Sequence, residues 1–139
     1  MKASVPPSPP PFEFLLDARS GVPAYRQIID QVQAGIAVGS LQPGHQLPTV
    51  RQVAVDLAIN PNTVLRAYKE LEIRGVLETQ QGTGTFISSR PQKADPAERE
   101  RQMEQLIREF VARAGAAGFT LQDVAEALLD RYPALGRRK

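Results

Sequence analysis

Asn62, Arg66 and Lys69 stand four and three residues apart in the stretch Pro61-Asn62-Thr63-Val64-Leu65-Arg66-Ala67-Tyr68-Lys69. At about 100° of rotation per residue, a helix carries these three on one side and Val64, Tyr68 and Leu71 on the other. One side is a core stripe, and the other offers an amide, a guanidinium and an ammonium. Such donors suit the edges of base pairs in a DNA major groove. Arginine can pair with guanine O6 and N7, asparagine with adenine N6 and N7, and a threonine such as Thr63 with a thymine methyl or a phosphate. Thr49 and Arg51, at the start of the preceding helix, are candidates for phosphate contact where that helix crosses the backbone. Gly82 and Thr83, in Gln81-Gly82-Thr83-Gly84, are small enough for close approach to a sugar-phosphate edge or a minor groove.

A polar outer face is common to soluble helices, so the reading depends on the elements that position these groups. Asn60-Pro61 reads as a helix start, with Asn60 the N-cap and Pro61 the first helical residue, where its missing N–H costs nothing. Asn62 and Thr63 are then expected to keep unpaired backbone N–H groups facing outward, a setting that suits a phosphate. Upstream, Thr49-Val50-Arg51-Gln52 has the form of a capping box, followed by Val53, Ala54 and Leu57 on one face. Only Ala58-Ile59 separates this short helix from Asn60, which is the spacing of a helix-turn-helix.

An earlier amphipathic helix is expected from Tyr25, Ile28, Ile29, Val32 and Ile36, stopping near Gly39. Pro43-Gly44 suits a type II turn, and a new helix is expected immediately after it. Phe12 to Asp17 is either a short strand or a clip on the following domain. The third helix is expected over 61-74, with Gly75 as its left-handed cap. Val76-Leu77-Glu78-Thr79-Gln80 and Thr85-Phe86-Ile87-Ser88 then read as a hairpin, a wing over 76-88 with Gln81 to Gly84 at its tip. The expected class is mainly α with a small β-hairpin. It comprises a disordered proline-rich lead-in over 1-11, a winged helix-turn-helix over 12-90, and a linker with a helical hairpin over 91-139.

In the last segment, Pro91 to Pro96 reads as the linker. Met103, Leu106, Ile107, Phe110 and Val111 mark one helix, Gly115 to Gly118 a connection, and Thr120 caps a second helix carrying Leu121, Val124, Ala125, Leu128, Leu129 and Tyr132. Pro133 ends it. So wide an apolar stripe with little to cover it predicts packing against a second copy, through Met103, Leu106, Ile107, Phe110, Leu121, Val124, Leu128 and Tyr132.

Composition narrows the function classes. The chain has 139 residues, 42% hydrophobic and 23% charged, with no apolar run long enough to span a bilayer. No membrane association is expected. Residues 4 to 11 lack the apolar core of a signal peptide, so the expected location is the cytoplasm. With no cysteine and His45 the only histidine, no disulfide, metal site or cofactor is expected. Asp123, Glu126 and Asp130 fall at helical spacing away from Leu121, Val124 and Leu128, which describes a solvated face. Gly82-Thr83-Gly84 lacks the lysine and following helix of a phosphate-cradling loop. No nucleophile, base and orienting group share a motif, so catalysis is not expected. Net charge is +2, and residues 12 to 90 carry seven cations against seven anions. A polyanion partner must therefore be argued from where the cations point.

Leu47-Pro48-Thr49-Val50-Arg51-Gln52-Val53-Ala54, then Asn60-Pro61-Asn62-Thr63-Val64 and Arg66-Ala67-Tyr68, with Leu71, Gly75 and Gly82-Thr83-Gly84-Thr85-Phe86-Ile87, resemble the GntR family of bacterial transcription regulators. The likeness covers residues 12 to 90, and the Asn-Pro-Asn-Thr-Val turn is most similar to the YtrA-like subgroup. It implies a homodimeric winged-helix protein that binds an operator in double-stranded DNA, often one controlling ABC-transporter genes. It further implies Arg51 as a backbone-contacting arginine, Thr63 in the recognition helix and Gly82 in the wing. Many relatives carry arginines where this chain has Pro61 and Leu65, so Asn62 and Arg66 are candidates by helix geometry alone. The short segment after the linker favours dimerisation over a closed effector pocket; the identity of any effector stays open, as does a winged RNA-binding or protein-interaction module.

Overall fold

The computed structural model describes residues 12–89 and 95–136, which fall into two units. The lead-in over 1-11 and most of the expected linker lie outside the described residues. The first unit runs α1 (Ala24–Ala37), β1 (Gln46–Leu47), α2 (Val50–Leu57), α3 (Pro61–Ile73), β2 (Leu77–Gln80) and β3 (Gly84–Ile87).

Ile28, Ile29 and Val32 of α1 are fully buried. The expected stripe then breaks, because Gly35 takes the next inward position and Ile36 is partly exposed. A Cβ on Gly35 would come within 2.9 Å of Leu41 and 3.0 Å of the Phe12 ring, so glycine lets both close over the helix. Phe12 to Asp17 forms no strand and docks as a clip. Phe14 is buried, and Phe12 meets it edge to face at 5.0 Å between ring centres. Two glutamines one turn apart on α1 supply the backbone partners a neighbouring strand would give. Gln31 accepts from Leu15 N at 2.9 Å and donates to Leu15 O at 2.6 Å, while Gln27 accepts from Asp17 N at 2.8 Å and donates to Asp17 O at 3.0 Å.

The turn at Pro43-Gly44 forms as expected, with Gly44 at φ +86° and His45 N donating to Gln42 O at 3.0 Å. His45 also accepts from Gln42 N, which ties the lone imidazole into this loop. The helix does not follow at once. Gln46–Leu47 first joins a three-stranded antiparallel sheet in the order β1-β3-β2, with Leu47 opposite Thr85 and Leu77 opposite Ile87. Leu47, Leu77 and Ile87 close the core from the sheet side.

Thr49 caps α2 by accepting from Gln52 N at 3.1 Å. Only half of the expected capping box forms, because the Gln52 side chain donates to Asp56 at 2.7 Å rather than reaching back. Asn60 caps α3 with Pro61 at its first position, and Val64, Ala67, Tyr68 and Leu71 are buried. The Tyr68 hydroxyl donates to Pro48 O at 2.6 Å, joining α3 to the residue before the α2 cap. Burial pushes its phenol pKa up, which keeps it a donor.

The second unit holds α4 (Pro96–Ala116), α5 (Leu121–Arg131) and a 3-10 turn (Pro133–Gly136). Pro96 is the first residue of α4 rather than the end of a linker, with Asp95 as N-cap. This repeats the Asn60-Pro61 device. Gly115 lies inside α4, and the connection is made by Gly118 at φ +89°. Thr120 and Asp123 cap α5 reciprocally, Asp123 N donating to Thr120 Oγ1 at 3.0 Å and Thr120 N to Asp123 Oδ2 at 2.9 Å. Hydrogen bonds from the Thr120 backbone and side chain hold the Asp123 carboxyl below the usual carboxylate range.

Candidate nucleic-acid interface

α3 is two-sided. Its inward residues sit against α1 and α2, while Asn62, Arg66 and Lys69 line one shallow concavity on its outer face together with Leu65, Glu70 and Ile73. Helical periodicity placed the three polar groups here. Leu65, where many relatives carry an arginine, is exposed on this same face and offers it an apolar side chain.

The backbone at the start of α3 departs from expectation. Asn62 N donates to Asn60 Oδ1 at 2.8 Å, and Thr63 N donates to Asn60 O at 3.0 Å. Neither N–H is unpaired, because the cap that starts the helix consumes the donors expected to face a phosphate. What the outer face of α3 can offer a partner therefore rests on its side chains. Thr63 is only half-exposed, whereas Asn62 is exposed.

Charge on the outer face is not cancelled within the helix. Glu70, one turn after Arg66, forms its ion pair with Arg74 at 3.1 Å, and both carboxylate and guanidinium are partly exposed. Arg66 instead lies over an aromatic ring of α1, its Cζ 3.8 Å from the centre of Tyr25. Lys69, and Arg51 in the first turn of α2, are exposed.

The wing is braced at both ends. Thr79 on β2 donates to Glu72 of α3 at 2.5 Å. At the tip, Gln46 Nε2 donates to Thr83 O at 3.1 Å and occupies the space where a Cβ on Gly84 would lie, 2.5 Å from that nitrogen. The tip is thus three residues, Gln81-Gly82-Thr83, with Gly82 at φ +77° and both Gly82 and Thr83 exposed. Sequence reasoning missed Gln46 because a two-residue strand carries no period to detect.

In the second unit no residue of α4 or α5 is buried. Met103, Leu106, Ile107 and Phe110 are each more than half exposed, as is Leu121; Leu128 and Tyr132 are also exposed, and Val124 is half-buried.

The family model for bacterial regulatory proteins of the gntR family matches residues 24–87. The chain is similar to the HTH-type transcriptional repressor YtrA of Bacillus subtilis, 37% identical over 80% of this chain and 85% of that one. It is likewise similar to the HTH-type transcriptional regulator Rv1152 of Mycobacterium tuberculosis, 40% identical over 81% of this chain and 88% of the relative. Among solved structures, one described as a transcriptional antiterminator from Listeria monocytogenes superposes with a TM-score of 0.65 at 29% identity, covering 88% of this chain and 90% of that chain.

Proposed function

The chain belongs to the GntR family of bacterial regulatory proteins, a family of helix-turn-helix transcription regulators and not of enzymes, and from that premise we propose that it is a repressor that binds an inverted-repeat operator as a homodimer. α3 enters the major groove, with Arg66 and Asn62 reading base edges and Lys69 and Thr63 meeting the phosphate edge. Thr49 and Arg51 contact the backbone, and the wing residues Gly82 and Thr83 lie along a sugar-phosphate edge or minor groove. The observation that carries this reading is the two-sided α3, whose outer cations are neither buried nor cancelled by Glu70.

Pairing two copies through α4 and α5 is supported by the apolar surface left uncovered on that unit. A monomeric soluble protein rarely leaves a contiguous patch of this kind open. A dimer with two α3 helices spaced one helical turn apart, about 34 Å, reads two half-sites. The test is a gel shift with duplex DNA from around the protein's own gene, competed by structured RNA and by unrelated duplex. Retention of the specific shift against both competitors is expected, and displacement by RNA at lower concentration than by duplex would overturn the reading.

A further inference from the structure

We propose that Tyr25, which lies on α1 outside the helix-turn-helix, is a specificity-determining positioning residue that fixes the plane of the Arg66 guanidinium. This rests on the reading of α3 as the groove helix. Tyr25 falls on the core stripe of α1 by spacing, yet its side chain is only half-buried and its ring serves as a platform for a residue 41 positions later. At 3.8 Å from the ring centre, the Arg66 Cζ is at stacking distance over the face of the ring. Arg26, the next residue on α1, is more distant, at 5.8 Å from the same ring centre.

Stacking engages the face of a guanidinium and leaves its N–H fork in the plane free. Among the described residues Arg66 makes no hydrogen bond or ion pair, and the acid in reach at i+4 is held by Arg74. Arg66 is therefore restrained in orientation without being neutralised. A phosphate accepts a cation from many directions, whereas guanine O6 and N7 require two N–H groups in one plane at a set angle. Holding that plane before contact favours the base over the phosphate. Losing the ring should spare general affinity and erode discrimination.

The experiment measures binding of the full-length protein to its selected operator and to operators altered at each base pair. Arg66→Ala first identifies the base pair it reads. Tyr25→Leu should then lose about tenfold discrimination at that base pair while keeping affinity for unrelated duplex. Tyr25→Phe, which keeps the ring, should retain discrimination, and Arg26→Ala should not change it. Where Tyr25→Leu melts too low to assay, relaxation of the Arg66 Nε–H group in Tyr25→Phe and wild type should both report a restrained side chain. Discrimination within twofold of wild type in Tyr25→Leu, or a freely mobile Arg66 in wild type, overturns the proposal while Arg66→Ala still leaves the groove reading standing. If Arg66→Ala relaxes no base pair, both fail.

Discussion

Ala58 and Gly75 occupy the same place in two helix ends of the same design. At the end of α2, Ile59 N donates to Ala54 O and Ala58 N to Val55 O; at the end of α3, Val76 N donates to Leu71 O and Gly75 N to Glu72 O. Both residues are left-handed, Ala58 at φ +55° and Gly75 at φ +79°. This motif usually uses glycine, because a Cβ in that region costs about 1–2 kcal/mol. Ala58 bears that strain in the turn that sets α3 against α2.

Ala58→Gly should raise stability by about 0.5–1 kcal/mol, the relieved strain being partly offset by glycine's greater freedom in the unfolded chain. Gly75→Ala should lower it by about 1 kcal/mol, since nothing crowds the site and only the backbone is strained. Urea midpoints for the two variants check both signs. A destabilised Ala58→Gly would show that the alanine side chain has a packing role.

Arg66 and Arg51 should fail differently. Arg66→Ala should cost about 1–3 kcal/mol on the operator and relax one base pair. Arg51→Ala should weaken binding to every duplex and reduce the salt slope by about one unit. Salt titrations on operator and unrelated DNA separate these patterns, and identical sequence-blind losses would contradict the assignment of roles.

Tyr68→Phe removes the donor to Pro48 O without changing the packing volume. A loss of about 1–2 kcal/mol is expected from the unpaired carbonyl. Calorimetric melting checks it; an unchanged melting temperature would mean that the carbonyl finds water instead.

Because Leu106 and Phe110 are exposed on the single chain, Leu106→Glu with Phe110→Glu should leave it folded and abolish the proposed self-association. Sedimentation at micromolar concentration should give a dimer for wild type and a monomer for the variant. A monomeric wild type would remove dimerisation from the proposed function.

The lowered carboxyl of Asp123 favours the folded state while it is ionised. That contribution is present above the ordinary aspartate range and is lost as the pH falls through the depressed folded value. The start of α5 should therefore fray in acid, read as a lower amide protection factor at Asp123 relative to the intrinsic exchange rate at each pH, and Asp123→Asn should flatten this dependence.

Much of this architecture could be read from residue types. Asn60-Pro61, Thr120 with Asp123, Gly75 and Pro43-Gly44 each dictate a local backbone by sterics or by a single hydrogen bond, and each appears where expected. The departures arise where tertiary contact decides. Periodicity puts Ile36 on the inward stripe where the structure has Gly35, because that position is decided by Leu41 and Phe12 closing over α1 from elsewhere in the chain. β1 was invisible because two residues become a strand only through β3. Helix geometry placed Arg66 outward but could not find Tyr25 beneath it, since their contact joins two helices far apart in sequence.

The proposal that two α3 helices read an inverted-repeat operator is tested by selecting bound sequences from random duplex DNA with the full-length protein. An inverted repeat is expected, its half-sites about 10 base pairs apart from centre to centre or a multiple of that, with one guanine position losing its preference in Arg66→Ala. Enrichment of no sequence, or of an asymmetric site indifferent to Arg66, would contradict it.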